Sequence, residues 1–171
     1  MNDRGTAAAL RRAFDDAFAA APASRDATSE NVLAIRVAGD PYVVRLAEIA
    51  SLHVDAKVVP IPSPIVELRG LAGFRHAVIP VYDLSALLGY AGGPAGRWLL
   101  IARREAVGLA FDHLDAHVRV EAADASATGD ARRGHVHGAM RIAGEVRPLI
   151  NLASVLDAIG ERARGRSERR E

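Results

Sequence analysis

Two segments of the chain repeat one another at a constant separation of 68 residues, and this repeat constrains the possible folds more than any other feature of the sequence. The first copy, GLAGFRHAVIPVYDLSALLG, starts at Gly70, and the second, GAMRIAGEVRPLINLASVLD, starts at Gly138. Pro80 and Pro148 are among the matched positions. Self-similarity of this kind indicates that one supersecondary unit occurs twice. We therefore expect two related halves, each a set of strands closing on a short helix.

Each copy ends in the signature of a short helix. Asp83 and Asn151, which match in the repeat, are good N-caps because their side-chain oxygens can accept hydrogen bonds from the free N–H groups of the first turn. An apolar stripe follows each cap. Gly89 and Gly160 then stand where each helix is expected to end.

Other parts of the chain show the period of two that is typical of strands. Leu33, Ile35 and Val37 share one face, and a turn follows them at 39–41. Six further strand-like runs cover residues 76–81, 97–102, 106–111, 113–120, 135–142 and 145–150. The segments that precede the two repeat copies, 33–49 and 99–114, are also weakly similar, and each has a strand, a charged turn and a second strand. Short strands separated by Gly, Pro and Asp predict an all-β barrel or sandwich.

The two ends of the chain differ from this β pattern. A helix is predicted over residues 6–21, where Leu10, Phe14 and Phe18 recur every four residues on one face. This stripe fits either packing on the protein's own domain or docking to a partner. The charged C-terminal tail has no apolar face and is expected to be disordered. The chain thus divides into an N-terminal helix and linker, a main domain and a tail, at 1–30, 31–160 and 161–171.

The residue types that carry catalysis or ligand binding are not arranged for either. The chain has no cysteine, which excludes disulfides, thiolate metal sites and thiol catalysis. No serine stands in a GxSxG motif, and no phosphate-binding glycine motif is present. The 22 basic and 21 acidic side chains nearly balance, and no apolar run approaches the length of a membrane span. We expect a cytoplasmic, non-enzymatic protein that needs no cofactor, binds no nucleic acid and does not insert into a membrane.

Four histidines support an alternative function. His135 and His137 alternate along one predicted strand, and His113 and His117 could share a face of another. Two imidazoles on one face can hold a metal ion if a third ligand converges on them, which the sequence does not show. The alternative is a His-dependent metal-binding or catalytic β-barrel protein.

The repeat and its surroundings resemble the signature of CheW-like domains. The stretch PIPSPIVELRGLAGFRHAVIPVYDLSALLG has the family's P-x-x-P, its glycine-containing segment and its strand ending in P-V-hydrophobic-D-L before a short helix. The stretches DPYVVRLAEIASL, AVGLAFDHL and LINLASVL resemble the family's other motifs in the same order, so the resemblance covers about residues 31–160. The chain departs from the family pattern at Ser51, Gly73 and His76, which points to a specialised receptor surface.

The resemblance implies both a fold and a function. The implied fold is mainly β, with two SH3-like five-stranded β-barrel subdomains and short helices packed around a shared core. The implied function is that of a non-enzymatic adaptor that couples chemoreceptors to a CheA-type histidine kinase. Its implied partners are the regulatory domain of the kinase and the cytoplasmic tip of the receptor, which docks in a groove between the two barrels.

The resemblance also implies five receptor-binding residues: Ile49, Gly70, Leu71, Phe74 and Arg75. Ile49 matches a hydrophobic position of the family's strand-and-turn motif, and Gly70 and Arg75 match the Gly and Arg beside the receptor groove. These three residues fit structural roles equally well. Gly70 suits a turn that needs a positive φ, Ile49 suits a core position, and Arg75 suits a solvated charge.

Overall fold

The computed structural model describes residues 29–74, 77–91, 96–121, 125–126 and 134–167, which form twelve strands and two helices. The strands are β1 (Ser29–Val37), β2 (Asp40–Arg45), β3 (Ile49–Val54), β4 (Val58–Val59), β5 (Leu68–Phe74), β6 (Ala77–Asp83), β7 (Trp98–Ala102), β8 (Gly108–Phe111), β9 (His113–Glu121), β10 (Ala125–Ser126), β11 (Val136–Ile142) and β12 (Glu145–Ile150). The helices are α1 (Leu84–Leu87) and α2 (Leu152–Ser167), and a 3₁₀ turn covers Leu46–Glu48. The helix predicted at 6–21 lies outside the described residues.

The strands form two six-stranded sheets whose strand orders match position by position. Sheet 1 has the order β9-β1-β2-β12-β11-β10, and sheet 2 has the order β3-β7-β8-β6-β5-β4. Each sheet has one parallel ladder, between β2 and β12 in sheet 1 and between β8 and β6 in sheet 2. The prediction of a mainly β fold is confirmed, and the two repeat copies occupy equivalent places in the two sheets.

Each sheet contains strands from both halves of the sequence, which the repeat alone did not predict. The β1–β2 hairpin precedes the first repeat copy, but it pairs with β9 and β12 of the second half. The β7–β8 hairpin pairs in the same way with β3 and β6 of the first half. The chain crosses between the sheets at the 3₁₀ turn and again at Asp112. Neither half can therefore separate from the other without breaking both sheets.

The sheets differ from the five-stranded barrels that the resemblance implies. The two-residue strands β4 and β10 each add a sixth strand, at the edge of sheet 2 and sheet 1 respectively. Among the described residues, the two edge strands of a sheet form no ladder with each other. Sheet 2 nevertheless curls far enough for His53 on the edge strand β3 to contact Phe74 on β5, with ring centroids 4.4 Å apart.

Three apolar clusters hold the sheets in place. A central cluster contains residues of both sheets and both helices, and therefore joins the two sheets. Leu33, Ile35 and Val37 on β1 all belong to it, which confirms the face predicted from their alternation. Val32 and Ala34, on the opposite face of β1, belong to a smaller cluster within sheet 1. The corresponding cluster within sheet 2 consists of Ala72, Val81, Leu99 and Ala110.

Both predicted helix caps are confirmed. Oδ1 of Asp83 accepts a hydrogen bond from the backbone N–H of Ser85 at 2.9 Å, and Oδ1 of Asn151 accepts one from the N–H of Ser154 at 3.0 Å. Gly89, with a φ of +83°, follows the end of α1. A side-chain N-cap of the same kind therefore begins the helix in each repeat copy.

The predicted end of the second helix is wrong. Helix α2 continues through Gly160 to Ser167, so residues 161–167 are helical rather than disordered. Ile159 is still buried in the central cluster at this point. Burying such a side chain stabilises the fold by about 1.5–3 kcal/mol, which exceeds the cost of roughly 1 kcal/mol for a glycine such as Gly160 inside a helix. Arg162, one turn further on, reaches Glu67 at 3.5 Å. Within the described residues, no helix has the length and apolar character needed to cross a membrane.

Candidate functional site

A groove of about 260 Å³ opens where the two sheets meet. Its lining comes from the 3₁₀ turn, the turn between β7 and β8, and the first turns of α2. The lining residues are Ala47, Glu48, Arg103, Arg104, Leu152, Ala153 and Leu156. The 3₁₀ turn connects sheet 1 to sheet 2, and α2 follows the β12 strand of sheet 1, so both sheets build this surface. We call it the intersheet groove.

Arg103 holds the wall of the intersheet groove in place. Its backbone N–H donates to the carbonyl oxygen of Glu48 at 2.8 Å, and its Nε and Nη2 donate to the carbonyl oxygens of Ala47 and Ile49 at 2.8 and 2.9 Å. These three bonds fix the β7–β8 turn to the segment that crosses between the sheets. In the described part of the chain, the Arg103 guanidinium donates to carbonyl oxygens and has no carboxylate partner.

Glu48 brings a carboxylate to the wall of the groove. Its Oε2 is buried and has no hydrogen-bond partner within the described residues. Burial raises the pKa of Glu48 above its ordinary value, although the charge of Arg45 and a hydrogen bond from the backbone N–H of Leu152 act in the opposite direction. A carboxylate oxygen is costly to bury without a partner, and this cost is the physical reason for the raised pKa of Glu48.

The outer face of sheet 2 provides a second apolar surface. Val59, Leu71 and Pro80 lie side by side across β4, β5 and β6, and Gly73 pairs with Val78 one step along the sheet. Val78 is 70% exposed and Val59 is 53% exposed. We call these five residues the hairpin face. Contiguous exposed apolar residues of this kind mark an interaction surface.

The matching positions on sheet 1 are more polar and more buried. Ala139 pairs with Pro148, and Arg141 pairs with Val146. The exposed Arg141 stands where sheet 2 has Gly73, and the buried Ala139 stands where sheet 2 has the partly exposed Leu71. The repeat therefore supplies an internal comparison, which shows that an uncharged outer face belongs to sheet 2.

Two of the five residues that the resemblance assigns to receptor binding, Ile49 and Gly70, are buried inside the fold. Ile49 is 4% exposed and packs in the central cluster, so its side chain is not available as a surface contact. Gly70 is also buried, with a φ of +149°, and a Cβ placed on it would lie 2.1 Å from the carbonyl oxygen of Val59. Its repeat match Gly138 has a φ of +98°, and each glycine lies at a register shift in its ladder. Both positions have a positive φ that favours glycine, and at Gly70 the close approach of Val59 excludes a side chain as well.

Of the remaining three, the two that the structure describes, Leu71 and Phe74, lie on opposite faces of β5. Leu71 is part of the hairpin face. Phe74, three residues further along β5, lies on the opposite face, where it packs against the cluster within sheet 2 and contacts His53. Arg75 and His76 lie outside the described residues. Of the predicted residues that the structure describes, Leu71 is the one on the hairpin face.

The sequence analysis missed Arg69, which binds the cap of α1. Its Nε donates to Oδ2 of Asp83 at 3.1 Å, and its Nη2 donates to the same oxygen. The repeat match of Arg69 is His137, whose Nδ1 lies 3.3 Å from Nδ2 of Asn151. Each copy therefore ties a strand to a helix cap, and the spacing of 68 residues was the signal that could have found both pairs. The residues of the intersheet groove were also missed, since no local pattern marks them.

The histidines do not support the metal-binding alternative. Among the described residues, no three His, Asp or Glu side chains are grouped so that they could hold a metal ion. His135 Nδ1 lies 2.9 Å from Oγ of Ser154, and burial, helped by nearby positive charge from Arg162 and His137, lowers the pKa of His135. The histidines at 113 and 117 are on β9, at the edge of sheet 1, and three strands separate β9 from β11.

Comparisons with known proteins agree with this architecture. A family model described as the CheW-like domain matches residues 31–160. The chain is 27% identical over 132 residues to the chemotaxis protein CheW of Rhizobium meliloti (strain 1021), covering 72% of this chain and 85% of that protein. The crystal structure of the scaffolding protein TtCheW from Thermoanaerobacter tengcongensis matches with a TM-score of 0.64 and 15% sequence identity, covering 72% of this chain and 89% of that one. This structural similarity shows a shared fold.

Proposed function

Because the chain belongs to the family of CheW-like domains, we propose that it is a scaffold that couples chemoreceptors to a CheA-type histidine kinase in chemotaxis signalling. The intersheet groove is the observation that carries this proposal, because both sheets form it and it is open and partly apolar. The hairpin face lies elsewhere, on the outer side of sheet 2. A scaffold must hold two partners at once, and two separate surfaces allow this.

The receptor tip binds in the intersheet groove. An amphipathic helix is the partner that suits such a groove, because its apolar side chains can enter between the walls while its polar face remains in water. Leu152, Ala153 and Leu156 supply the apolar floor. Arg103, which lacks a carboxylate partner in the described part of the chain, favours an acidic residue on the helix.

The regulatory domain of the kinase binds the hairpin face. The high exposure of Val59 and Val78 supports this choice, since burying apolar area is the main source of affinity in the core of a protein interface. The resemblance to CheW-like domains implies two SH3-like barrels, and we propose that each six-stranded sheet corresponds to one of them, with a two-residue strand added at one edge.

Scaffolding also accounts for the absence of catalytic motifs from the sequence. We propose that the protein acts in the cytoplasm, without enzymatic activity and without a cofactor. Arg75 remains a proposed receptor contact, whereas Leu71 lies on the hairpin face and is reassigned to the kinase contact. Ile49, Gly70 and Phe74 contribute by holding β3 and β5 in position, since their side chains or backbone pack inside the fold.

Three substitutions test the two surfaces separately. Ala153→Glu places a carboxylate in the intersheet groove, at the second residue of α2, where an acidic side chain is compatible with the helix dipole. We expect it to weaken binding of a receptor-tip fragment at least tenfold and to leave kinase binding unchanged. Val78→Glu should have the opposite pattern. Val146→Glu is the matched control, because Val146 has the same place in sheet 1 and is also exposed.

Isothermal titration calorimetry with the receptor-tip fragment and the isolated kinase regulatory domain measures both affinities. An unchanged receptor affinity in Ala153→Glu would refute the groove as the receptor site. Loss of kinase binding in Val146→Glu, with Val78→Glu unaffected, would transfer the kinase surface to sheet 1.

A further inference from the structure

The N-terminal part of the chain enters the fold beside the intersheet groove. β1 begins at Ser29, and the next residue, Glu30, forms a salt bridge of 2.6 Å between its Oε1 and Nε of Arg45. Arg45 ends β2 and directly precedes the 3₁₀ turn, whose Ala47 and Glu48 line the groove. Glu30 and Arg45 are also close enough to Glu48 to influence its pKa. The 28 residues before Ser29 are therefore tethered at the wall of the groove.

The groove has room and charge for a particular kind of occupant. Its volume of about 260 Å³ exceeds the roughly 150 Å³ of an apolar cavity that holds a benzene molecule. It can therefore accept an aromatic ring together with part of a second apolar side chain. The guanidinium of Arg103 lies beside this space and, within the described residues, has no carboxylate partner. An aromatic residue followed by an acidic one would match both features.

The N-terminal segment, defined as residues 6–21, has this combination in its sequence. Leu10, Phe14 and Phe18 are spaced for one face of a helix, and two aspartates at 15–16 follow the first phenylalanine directly. Ten residues lie between Phe18 and Ser29, the first residue of β1, and an extended chain of this length spans up to about 35 Å. The segment can therefore reach the groove from its point of attachment.

We propose that the N-terminal segment docks into the intersheet groove of its own chain and competes there with the receptor tip. A short tether gives an effective concentration in the millimolar range, so even a weak contact fills the groove when no receptor is present. A receptor must then displace the segment before it binds. The competition rests on the proposed receptor role of the groove, whereas the docking does not.

Disulfide trapping in the full chain tests the docking. Because the chain has no cysteine of its own, any disulfide must join two introduced cysteines. We expect Ala17→Cys with Ala153→Cys to form a disulfide within one chain at least ten times faster than Ala17→Cys with Ala116→Cys under mild oxidation. Ala116 is a suitable control because it is exposed, pairs with β1 and lies within reach of the same tether. Adding Phe14→Asp and Phe18→Asp should remove the link to position 153.

Equal rates for the two cysteine pairs, or a link that forms between two chains only, would overturn the docking. Receptor affinity then tests the competition: the full chain carrying Phe14→Asp and Phe18→Asp should bind a receptor-tip fragment at least threefold more tightly than the unmodified chain. If the internal link forms but receptor affinity is unchanged, the competition is wrong. If the link is absent while Ala153→Glu still weakens receptor binding, the docking is wrong and the proposed function stands.

Discussion

Replacing Gly70 by alanine tests whether this residue supports the fold or contacts the receptor. The new Cβ would lie 2.1 Å from the carbonyl oxygen of Val59, 2.7 Å from its carbonyl carbon and 2.9 Å from Cα of Pro60. All three atoms belong to the backbone, so no flexible side chain can move aside. The φ of +149° costs a residue with a Cβ about 1–3 kcal/mol, and overpacking typically adds about 1–3 kcal/mol. We expect Gly70→Ala to lower the free energy of unfolding by roughly 2–6 kcal/mol, a large part of the roughly 5–15 kcal/mol typical of a domain.

Urea unfolding measures this change, with fluorescence of the single tryptophan, Trp98, as the probe. Gly73→Ala is the matched control, because a Cβ there meets nothing within 4 Å, and it should stay within about 0.5 kcal/mol of the unmodified protein. The folded fraction of Gly70→Ala should bind the receptor tip with unchanged affinity. A stability within about 0.5 kcal/mol of the unmodified protein would refute the close-approach reasoning. A weaker receptor affinity in the folded variant would instead restore Gly70 as a contact residue.

The remaining predictions concern buried charges and helix caps. Arg147 is almost fully buried, and its Nη1 lies 2.8 Å from Oδ2 of Asp115. Arg147→Met should therefore destabilise the fold at pH 7 by roughly 3 kcal/mol in thermal or urea unfolding. A loss of stability below about 1 kcal/mol would contradict this prediction. Burial alone would raise the pKa of Asp115, but hydrogen bonds from its arginine partners hold this pKa below its ordinary value. The stability that the Asp115 carboxylate contributes is therefore present above about pH 4 and is lost as the pH falls further. A series of unfolding measurements at decreasing pH should show this loss. The loss should be smaller in Arg147→Met. Asp83→Ala removes both a cap and the partner of Arg69 and should cost roughly 3 kcal/mol. Asn151→Ala removes a cap and an exposed contact with His137 and should cost about 1 kcal/mol; equal costs would show that the Arg69 pair adds no more than the His137 contact.

Features that depend on neighbouring residues could be predicted from the sequence. The alternation of Leu33, Ile35 and Val37 correctly predicted a buried face, because a strand turns successive side chains to opposite sides. Asp83 and Asn151 correctly predicted two caps, because a cap bond spans two or three residues. These interactions are complete within a short segment, so a short segment is enough to recognise them.

Features that depend on distant partners could not be predicted in this way. β5 was not recognised as a strand, because Gly70 and Gly73 interrupt its apolar alternation, and the need for Gly70 arises from Val59 on another strand. An apolar residue such as Ile49 fits a core position and a docking surface equally well. Its burial became clear once both sheets and both helices enclosed it.

The sequence by itself determined that one structural unit occurs twice and that most of the chain resembles a CheW-like domain. It did not determine which β-hairpin joins which unit, because a repeated unit offers each hairpin two nearly equivalent partners. Tertiary structure made that choice at the two crossings between the sheets. At the first crossing, Arg103 binds three backbone carbonyl oxygens that lie more than fifty residues earlier in the chain. The intersheet groove exists because of that choice. Its walls come from segments that are distant in sequence, so their conjunction is a property of the folded chain alone.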